Sequence, residues 1–279
     1  MKQIVFDDEY FNIVDTLNCG QIFRFRAFDD GFLVFSKDKA CFLRQNNGVI
    51  SITVNEDDEN YFYRFFDLDR DYKKINDFAK SDGVEIVKKS AELGKGIRIL
   101  NQDAEEMLFS FVISQNNNIP RIKKSIEFLC REFGRKKTFM GVEYRSFPTA
   151  NELVGAELSQ LKEAGLGYRA EYISGLACKI ASGYSVESLK NFNTDDLRAE
   201  LISLKGIGEK VANCVLLFGF NRYDSFPVDT WIEKVYKEDF LGEFTSRHKI
   251  TAFFMERYKD YAGFIQQYLF YYKRSLEKR

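Results

Sequence analysis

Closely spaced cysteines are missing from this 279-residue chain. Its five cysteines, Cys19, Cys41, Cys130, Cys178 and Cys214, are scattered, with no C-x-x-C pair. They cannot supply the four-cysteine set that holds an iron–sulfur cluster, and an odd, dispersed count argues against a disulfide framework. Histidine is scarce too. With His248 alone, neither a multi-histidine zinc site nor a histidine-centred catalytic network has its parts. No metal site and no cofactor are expected from these residues. No stretch of 18 apolar residues occurs, so no membrane helix is expected. The first residues, Met1-Lys2-Gln3 followed by Asp7, Asp8 and Glu9, lack the apolar segment of a secretory signal. That points to an intracellular protein, in the cytoplasm or nucleoid if its source is prokaryotic. Neither sign of charge is in excess: 41 Lys and Arg against 42 Asp and Glu leave a net −1, with a pI near 6.1. The overall basicity of many nucleic-acid binders is absent, so any such affinity has to come from local clusters and backbone amides. Arg121, Lys123 and Lys124 form one cluster; a second, Arg135, Lys136 and Lys137, reads as a solvated helix end or loop.

Apolar residues are plentiful. The chain is 45% hydrophobic with 28 Phe, enough for a sizeable core and against disorder. The pattern divides near residue 98 and predicts an α+β protein. Residues 1–98 read as an N-terminal antiparallel β-sheet domain. Alternation over Gln21–Phe28 predicts a strand with Phe23 and Phe25 on one face and Arg24 and Arg26 on the other. Turns at Asp29-Asp30-Gly31 and Asn46-Asn47-Gly48 separate further strands at 32–35, 40–44 and 49–54, a meander. Residues 61–66 and 75–87 read as helices. Residues 99–279 read as almost wholly α-helical. Asp103 with Glu106, and Thr149 with Glu152, are capping-box signatures, and other helices are expected at 121–133, 170–182, 229–237, 249–259 and 263–275. No internal repeat or low-complexity linker is visible.

Residues 194–230 are the most informative. Thr194 is placed to cap a helix that carries Asp195 and Asp196 in its first turn, where negative charge suits the helix dipole. Leu197, Leu201 and Leu204 give that helix one buried face. Gly206 and Gly208 close it in a tight hairpin. A second helix begins near Glu209, with Val211, Val215 and Leu216 apolar. Unpaired N–H groups at its start make a phosphate site that reads no sequence, and glycine lets a backbone approach closely. Lys210 lies in this second helix. Asp229 follows in Phe226-Pro227-Val228-Asp229-Thr230, where it can also cap the next helix. Separately, a solvated helix lysine and a capping aspartate are common.

Together, this stretch resembles the helix–hairpin–helix DNA glycosylases, whose glycine-rich hairpin is followed by a catalytic aspartate and whose bifunctional members use the lysine as nucleophile. Four further segments, in the family's order, resemble its 8-oxoguanine DNA glycosylase branch: Cys19-Gly20-Gln21-Ile22-Phe23-Arg24, Ser114-Gln115-Asn116-Asn117-Asn118-Ile119, Gly165-Leu166-Gly167-Tyr168-Arg169-Ala170, and Ala262-Gly263-Phe264 through Gln267 and Phe270. The resemblance spans nearly the whole chain, and its helix–hairpin–helix lies at 194–220. It implies a monomeric enzyme acting on double-stranded DNA that contains 8-oxoguanine.

The roles that the resemblance implies suit base flipping, because C1′ of a stacked nucleotide is out of reach. Asn116 would enter the vacated space and Tyr168 would wedge beside the estranged base. Arg121 and Arg169 would contact that base. The Gly20 carbonyl would accept from the N7 proton that 8-oxoguanine has and guanine lacks. Phe270 and Cys214 would sandwich the lesion, and Gln267 would bond its Watson–Crick edge. Gly206, Gly208 and Val211 would meet a DNA phosphate, and the hairpin carbonyls could hold a monovalent cation. Lys210 would attack C1′, expel the base and form a Schiff base, after which β-elimination nicks the strand. Asp229 would stabilise the developing sugar cation. Where many relatives have a histidine two positions after that aspartate, this chain has Trp231. Plainer readings stand beside these: a turn and helix cap at Asn116–Asn118, helix core for Phe270, Cys214 and Gln267. Two other functions stay open at this point, a glycosylase of the same superfamily for another damaged base and a non-catalytic DNA-binding module.

Overall fold

A computed structural model describes residues 1–276. Five antiparallel strands, β1 (Lys2–Asp7), β2 (Phe25–Phe28), β3 (Gly31–Ser36), β4 (Lys39–Asn46) and β5 (Val49–Val54), form one sheet in the order β1-β5-β4-β3-β2. Its alternation sorts side chains by face. Val34, Cys41, Leu43, Ile50 and Ile52 pack under α1 (Ile13–Asn18) and α2 (Glu59–Phe65) through Ile13, Leu17, Phe62 and Phe65. Leu33, Ala40 and Phe42 point the opposite way, as the Leu33↔Phe42 and Val34↔Cys41 register requires.

That second face is covered by a hairpin inside the region expected to be almost wholly helical. Strands β6 (Lys136–Phe139) and β7 (Val142–Arg145) bring Phe139, Val142 and Tyr144 against Leu33 and Phe42. The Arg135–Lys137 cluster lies at and within it, each cation paired with a carboxylate: Arg135 with Glu152 at 3.0 Å, Lys136 with Glu143, and Lys137 with Asp38 at 3.0 Å. Arg24 fastens hairpin, sheet and helix. Only residues 25–28 of the expected 21–28 strand pair in the sheet, and Arg24 is buried rather than facing solvent. Its guanidinium meets Glu106 at 3.2 Å and donates to the Arg145 carbonyl at 2.8 Å. Glu106 is thereby drawn away from the capping box expected of it. Asp103 accepts from the Glu106 amide, whereas Thr149 and Glu152 form the complete reciprocal box.

The remaining helices are α3 (Tyr72–Lys80), α4 (Glu85–Leu93), α5 (Ala104–Ser114), α6 (Ile119–Phe133), α7 (Ala150–Val154), α8 (Leu158–Glu163), α9 (Arg169–Ala181), α10 (Thr194–Ser203), α11 (Glu209–Gly219), α12 (Thr230–Glu238), α13 (Arg247–Tyr258) and α14 (Ala262–Leu276). The single helix expected at 75–87 is two, α3 and α4, broken at Ser81-Asp82-Gly83, where the Asp82 side chain accepts from the Val84 amide. Asn193, not Thr194, caps α10 by accepting from the Asp196 amide at 2.9 Å. Helices α5 and α11 are nearly all buried and lie together at the centre, with Phe111 stacked on Phe218. The last helix, α14, packs against α4 and α12. These contacts carry the residues of interest on rigid elements of one core.

Candidate active site

Gly206 and Gly208 differ in what their missing side chains permit. Gly206 has φ +88°, and a Cβ there would run into the Tyr172 ring. Its smallness therefore serves packing inside the protein. Its carbonyl accepts from Gln115 Nε2 at 2.8 Å, which joins the hairpin to the end of α5. Gly208 caps α11 in an extended conformation, and a Cβ there would meet nothing within 4 Å. Here the open space lies outside. The first intrahelical bond runs from the Ala212 amide to the Gly208 carbonyl at 2.9 Å. The amides of Glu209, Lys210 and Val211 thus lie at the unpaired start of α11.

Lys210 occupies the second position of α11, half-buried, with Nζ 5.5 Å from the Phe111 ring centroid. Cys214 is buried one turn on. Burial pushes its thiol up, and the charge of Lys210 opposes that shift. Asp229 ends the Phe226–Val228 segment and caps α12. Its Oδ1 accepts from the Trp231 and Ile232 amides, both at 3.0 Å. Capping therefore uses one oxygen and does not engage Oδ2. Burial raises the Asp229 carboxyl above its ordinary range, while those two amides and the Lys210 and Arg247 charges pull the other way.

Lys210 and Asp229 line two adjoining spaces. One is a small pocket of about 50 Å³ whose walls include Gly20, Cys214, Phe270, Gln267 and Phe111. The other is a larger cleft of about 710 Å³ bordered by Asn116, Tyr168, Gly208, Val211 and Trp231. Residues from five separate sequence segments meet in these two spaces. In the cavity, Gln267 is buried with Oε1 lacking any hydrogen-bond partner among the described residues, an acceptor aimed at nothing in the protein. Gln266 lines the same cavity and donates to the Pro227 carbonyl at 3.2 Å. No sequence motif singles it out, although it stands one helical turn before Phe270 and so shares a helix face with it. Gln21 holds the Gly20 turn from below: its Nε2 donates to the Arg98 carbonyl at 2.7 Å and its Oε1 accepts from the Leu100 amide at 2.8 Å.

The residues expected to fill the gap and read the opposite base divide. Asn116 is exposed with φ +43°, and Tyr168 is 53% exposed, as an inserting pair must be. The helix-cap reading applies to Asn118, which accepts from the Arg121 amide. Arg121 is exposed at the start of α6 and does not border the cleft. Lys123, from the same basic cluster, turns inward onto the Phe25 ring, 3.5 Å from its centroid. Arg169 is buried. It donates through Nε to the Gln115 carbonyl at 2.8 Å, through Nη2 to that of Asn116 at 2.9 Å, and through Nη1 to that of Leu166 at 3.2 Å. In this arrangement it braces the Asn116 turn from inside. Among the described residues no group of three or more His, Cys, Asp or Glu is placed to hold a metal ion, and no helix is long and apolar enough to cross a membrane.

The chain is similar to known proteins over most of its length. Residues 3–108 match the family model of the 8-oxoguanine DNA glycosylase N-terminal domain, and residues 109–260 match that of the HhH-GPD superfamily of base excision DNA repair proteins. The N-glycosylase/DNA lyase of Saccharomyces cerevisiae is 32% identical over an alignment covering 85% of this chain and 70% of the yeast protein. A probable N-glycosylase/DNA lyase of Methanothermobacter thermautotrophicus is 29% identical, with 75% and 72% covered. Among solved structures, the 8-oxoguanine glycosylase/lyase of Clostridium acetobutylicum, in complex with double-stranded DNA containing cytosine opposite 8-oxoguanine, superposes with a TM-score of 0.92 at 33% identity over 98% of both chains.

Proposed function

The chain belongs to the HhH-GPD superfamily of base excision DNA repair proteins, in its 8-oxoguanine DNA glycosylase branch, and we propose that it excises 8-oxoguanine from double-stranded DNA and then cleaves the abasic strand as a lyase. The observation that carries this reading is that Lys210 and Asp229 line both the small pocket and the larger cleft. A nucleotide swung out of the cleft would thus deliver its base to the cavity and its C1′ to the boundary between them.

In this mechanism Asn116 and Tyr168 take the space that the flipped nucleotide leaves, and the amides at the start of α11 with Gly208 hold a phosphate. The Gly20 carbonyl, Cys214, Phe270 and Gln267 receive the base. Lys210, as the free amine, attacks C1′; the C1′–N9 bond breaks and the electron pair leaves with the purine. Asp229, kept in the site by its capping bonds, stabilises the cationic sugar and takes up the amine's proton. The C1′–O4′ bond then opens, its electron pair leaving on O4′, to give the protonated Schiff base between C1′ and Lys210; this acidifies C2′, whose proton is lost as the 3′ phosphate leaves with the C3′–O electron pair. An amine and a carboxylate suffice for these steps, so no cofactor enters. The Gly206 carbonyl accepts from Gln115 and keeps a second lone pair, so a monovalent cation at the hairpin could use it with the other hairpin carbonyls. Arg169 would meet the opposite base only after releasing the three carbonyls it holds, whereas Arg121 is exposed at the start of α6 and would reach it from there. A DNA substrate supports an intracellular location, in the cytoplasm or nucleoid if the source is prokaryotic.

Borohydride trapping on a duplex with one 8-oxoguanine tests the reading. A covalent adduct with the wild type that is lost in Lys210→Gln is expected. Base release without an adduct would sink the lyase step. Binding with neither release nor trapping would point to another lesion or to a module that only binds DNA, and a panel of other damaged bases separates those two.

A further inference from the structure

A further pocket, of about 340 Å³, lies between α6, β2 and β7 and shares no residue with the base pocket or the cleft. Arg26 of β2, Lys123 of α6 and Arg145 of β7 line it. None of the three pairs with a carboxylate among the described residues. Arg26 is exposed, donates to the Glu143 carbonyl at 3.3 Å and lies over the Phe35 ring. Arg145 is exposed and donates to the Gly134 carbonyl at 3.3 Å. Lys123 is half-buried on the Phe25 ring. Burial pulls its ammonium below the ordinary lysine value, and no carboxylate offsets that.

Elsewhere on the sheet and hairpin, Lys2, Lys39, Arg44, Arg135, Lys136 and Lys137 each pair with a carboxylate. This pocket is the exception. Arg24 and Arg131 also line it but are matched by Glu106 and Glu132. Of its own carboxylates, Glu143 is taken by Lys136, so Glu127 alone stands against the three cations. Like charges gathered around one hollow repel, and a bound anion relieves that repulsion. The location indicates which anion. Helix α6 starts against the Gly20 turn, where a Cβ would lie 3.6 Å from Ile119 Cδ1. Lys123 stands one turn beyond Ile119 on the same face, and the α6 residues of the pocket run on to Arg131. The pocket thus spans roughly 6–18 Å along α6 from that contact. With one phosphate per roughly 3.4 Å of duplex axis on each strand, that is about two to five phosphates.

We propose that this pocket holds a backbone phosphate of the duplex beside the lesion, with Lys123 Nζ and the Arg26 and Arg145 guanidinium groups as its donors. Such a contact adds affinity and fixes the register of the duplex without reading sequence. It supplies locally the positive charge that a chain of net −1 lacks as a whole. The proposal rests on the reading that the substrate is double-stranded DNA.

The test measures binding to a duplex with one 8-oxoguanine across a salt series for wild type, Lys123→Met and Arg26→Gln. Lys89→Met, at an exposed position of α4 outside the pocket, is the charge-matched control. Loss of one phosphate contact predicts a logarithmic salt slope smaller by about 0.9 and a Kd higher by on the order of 3- to 10-fold at 0.1 M salt in Lys123→Met. Lys89→Met should stay within about twofold of wild type. One uncharged methylphosphonate, moved along either strand about two to five phosphates from the lesion, should weaken the wild type at one position and leave Lys123→Met unaffected there. Methionine keeps an apolar stem over Phe25, so a thermal melt should show Lys123→Met folded; if it does not, Arg26→Gln, on an exposed side chain, carries the same test. An unchanged slope in both pocket variants overturns the proposal. So does an equal loss in Lys89→Met, which would report net charge alone. Calorimetric binding of deoxyguanosine monophosphate that is lost in Lys123→Met while duplex binding is unchanged would give the pocket to a free phosphate ligand and overturn it too. If the wild type binds no lesion duplex, the substrate reading itself has failed, and this contact with it.

Discussion

Arg169 holds the backbone of Asn116: its Nη2 donates to the Asn116 carbonyl at 2.9 Å while Nε holds the neighbouring Gln115 carbonyl at 2.8 Å. Asn116 sits at φ +43°, a conformation that costs energy for a residue with a side chain and persists only where its surroundings impose it. The buried guanidinium supplies that restraint.

Arg169→Ala should therefore cost stability as well as function. Removing a buried charged donor that serves three carbonyls predicts a loss of about 2–4 kcal/mol in denaturant unfolding. Asn116→Gly, which adopts the same backbone freely, should leave stability within about 1 kcal/mol yet weaken binding to a lesion duplex. Equal effects of the two variants on stability would contradict the bracing role.

The hairpin glycines should behave oppositely. In Gly206→Ala the new methyl meets the Tyr172 ring at a positive φ, and a loss of about 2 kcal/mol or more is expected. In Gly208→Ala the methyl enters open space, so the melting temperature should barely move while DNA affinity falls. Thermal melts and fluorescence anisotropy on one abasic-analogue duplex distinguish them.

Asp229→Asn separates chemistry from capping. Asparagine caps about as well as aspartate, so α12 should stay intact while base release drops by roughly 100- to 10,000-fold. Stability should carry a pH signature. Burial raises the Asp229 carboxyl above the ordinary 3.8, so the folded chain binds that proton more tightly than the unfolded chain. Its stabilising contribution is complete below the unfolded value and is lost as pH rises through the folded one. The never-charged variant should thus be the more stable protein at neutral pH, with the difference closing as the pH falls into that acid window. Urea titrations at neutral and acid pH measure it.

Thiol chemistry offers a further check. Cys178 is exposed, whereas Cys19, Cys41, Cys130 and Cys214 are buried. Burial pushes the Cys19 and Cys130 thiols up to about 11 and raises those of Cys41 and Cys214 as well. One fast equivalent is expected with a disulfide reagent on the native protein, none in Cys178→Ser, and five from the unfolded wild type. Rapid labelling of Cys214 would show that the base cavity is open to solvent.

Sequence by itself determined the α+β class, the meander and the helix–hairpin–helix, because turns, caps and apolar periodicity are local and each acts over a few residues. Lys210 and Asp229 were legible for the same reason, standing in one short motif. The tertiary structure decided what depends on distant partners. The β6–β7 hairpin exists because the outer face of β3 and β4 needs cover, and no signal within 136–145 announces that need. Glu106 abandons its capping box because Arg24, 82 residues away in sequence, arrives buried and needs a carboxylate. Gly206 is glycine because Tyr172 fills its space, and Arg169 turns inward because the Gln115 and Asn116 carbonyls are there to receive it. Each is a contact between segments that a chain read in order cannot bring together, since burial and unmet hydrogen bonds arise only once the core has formed.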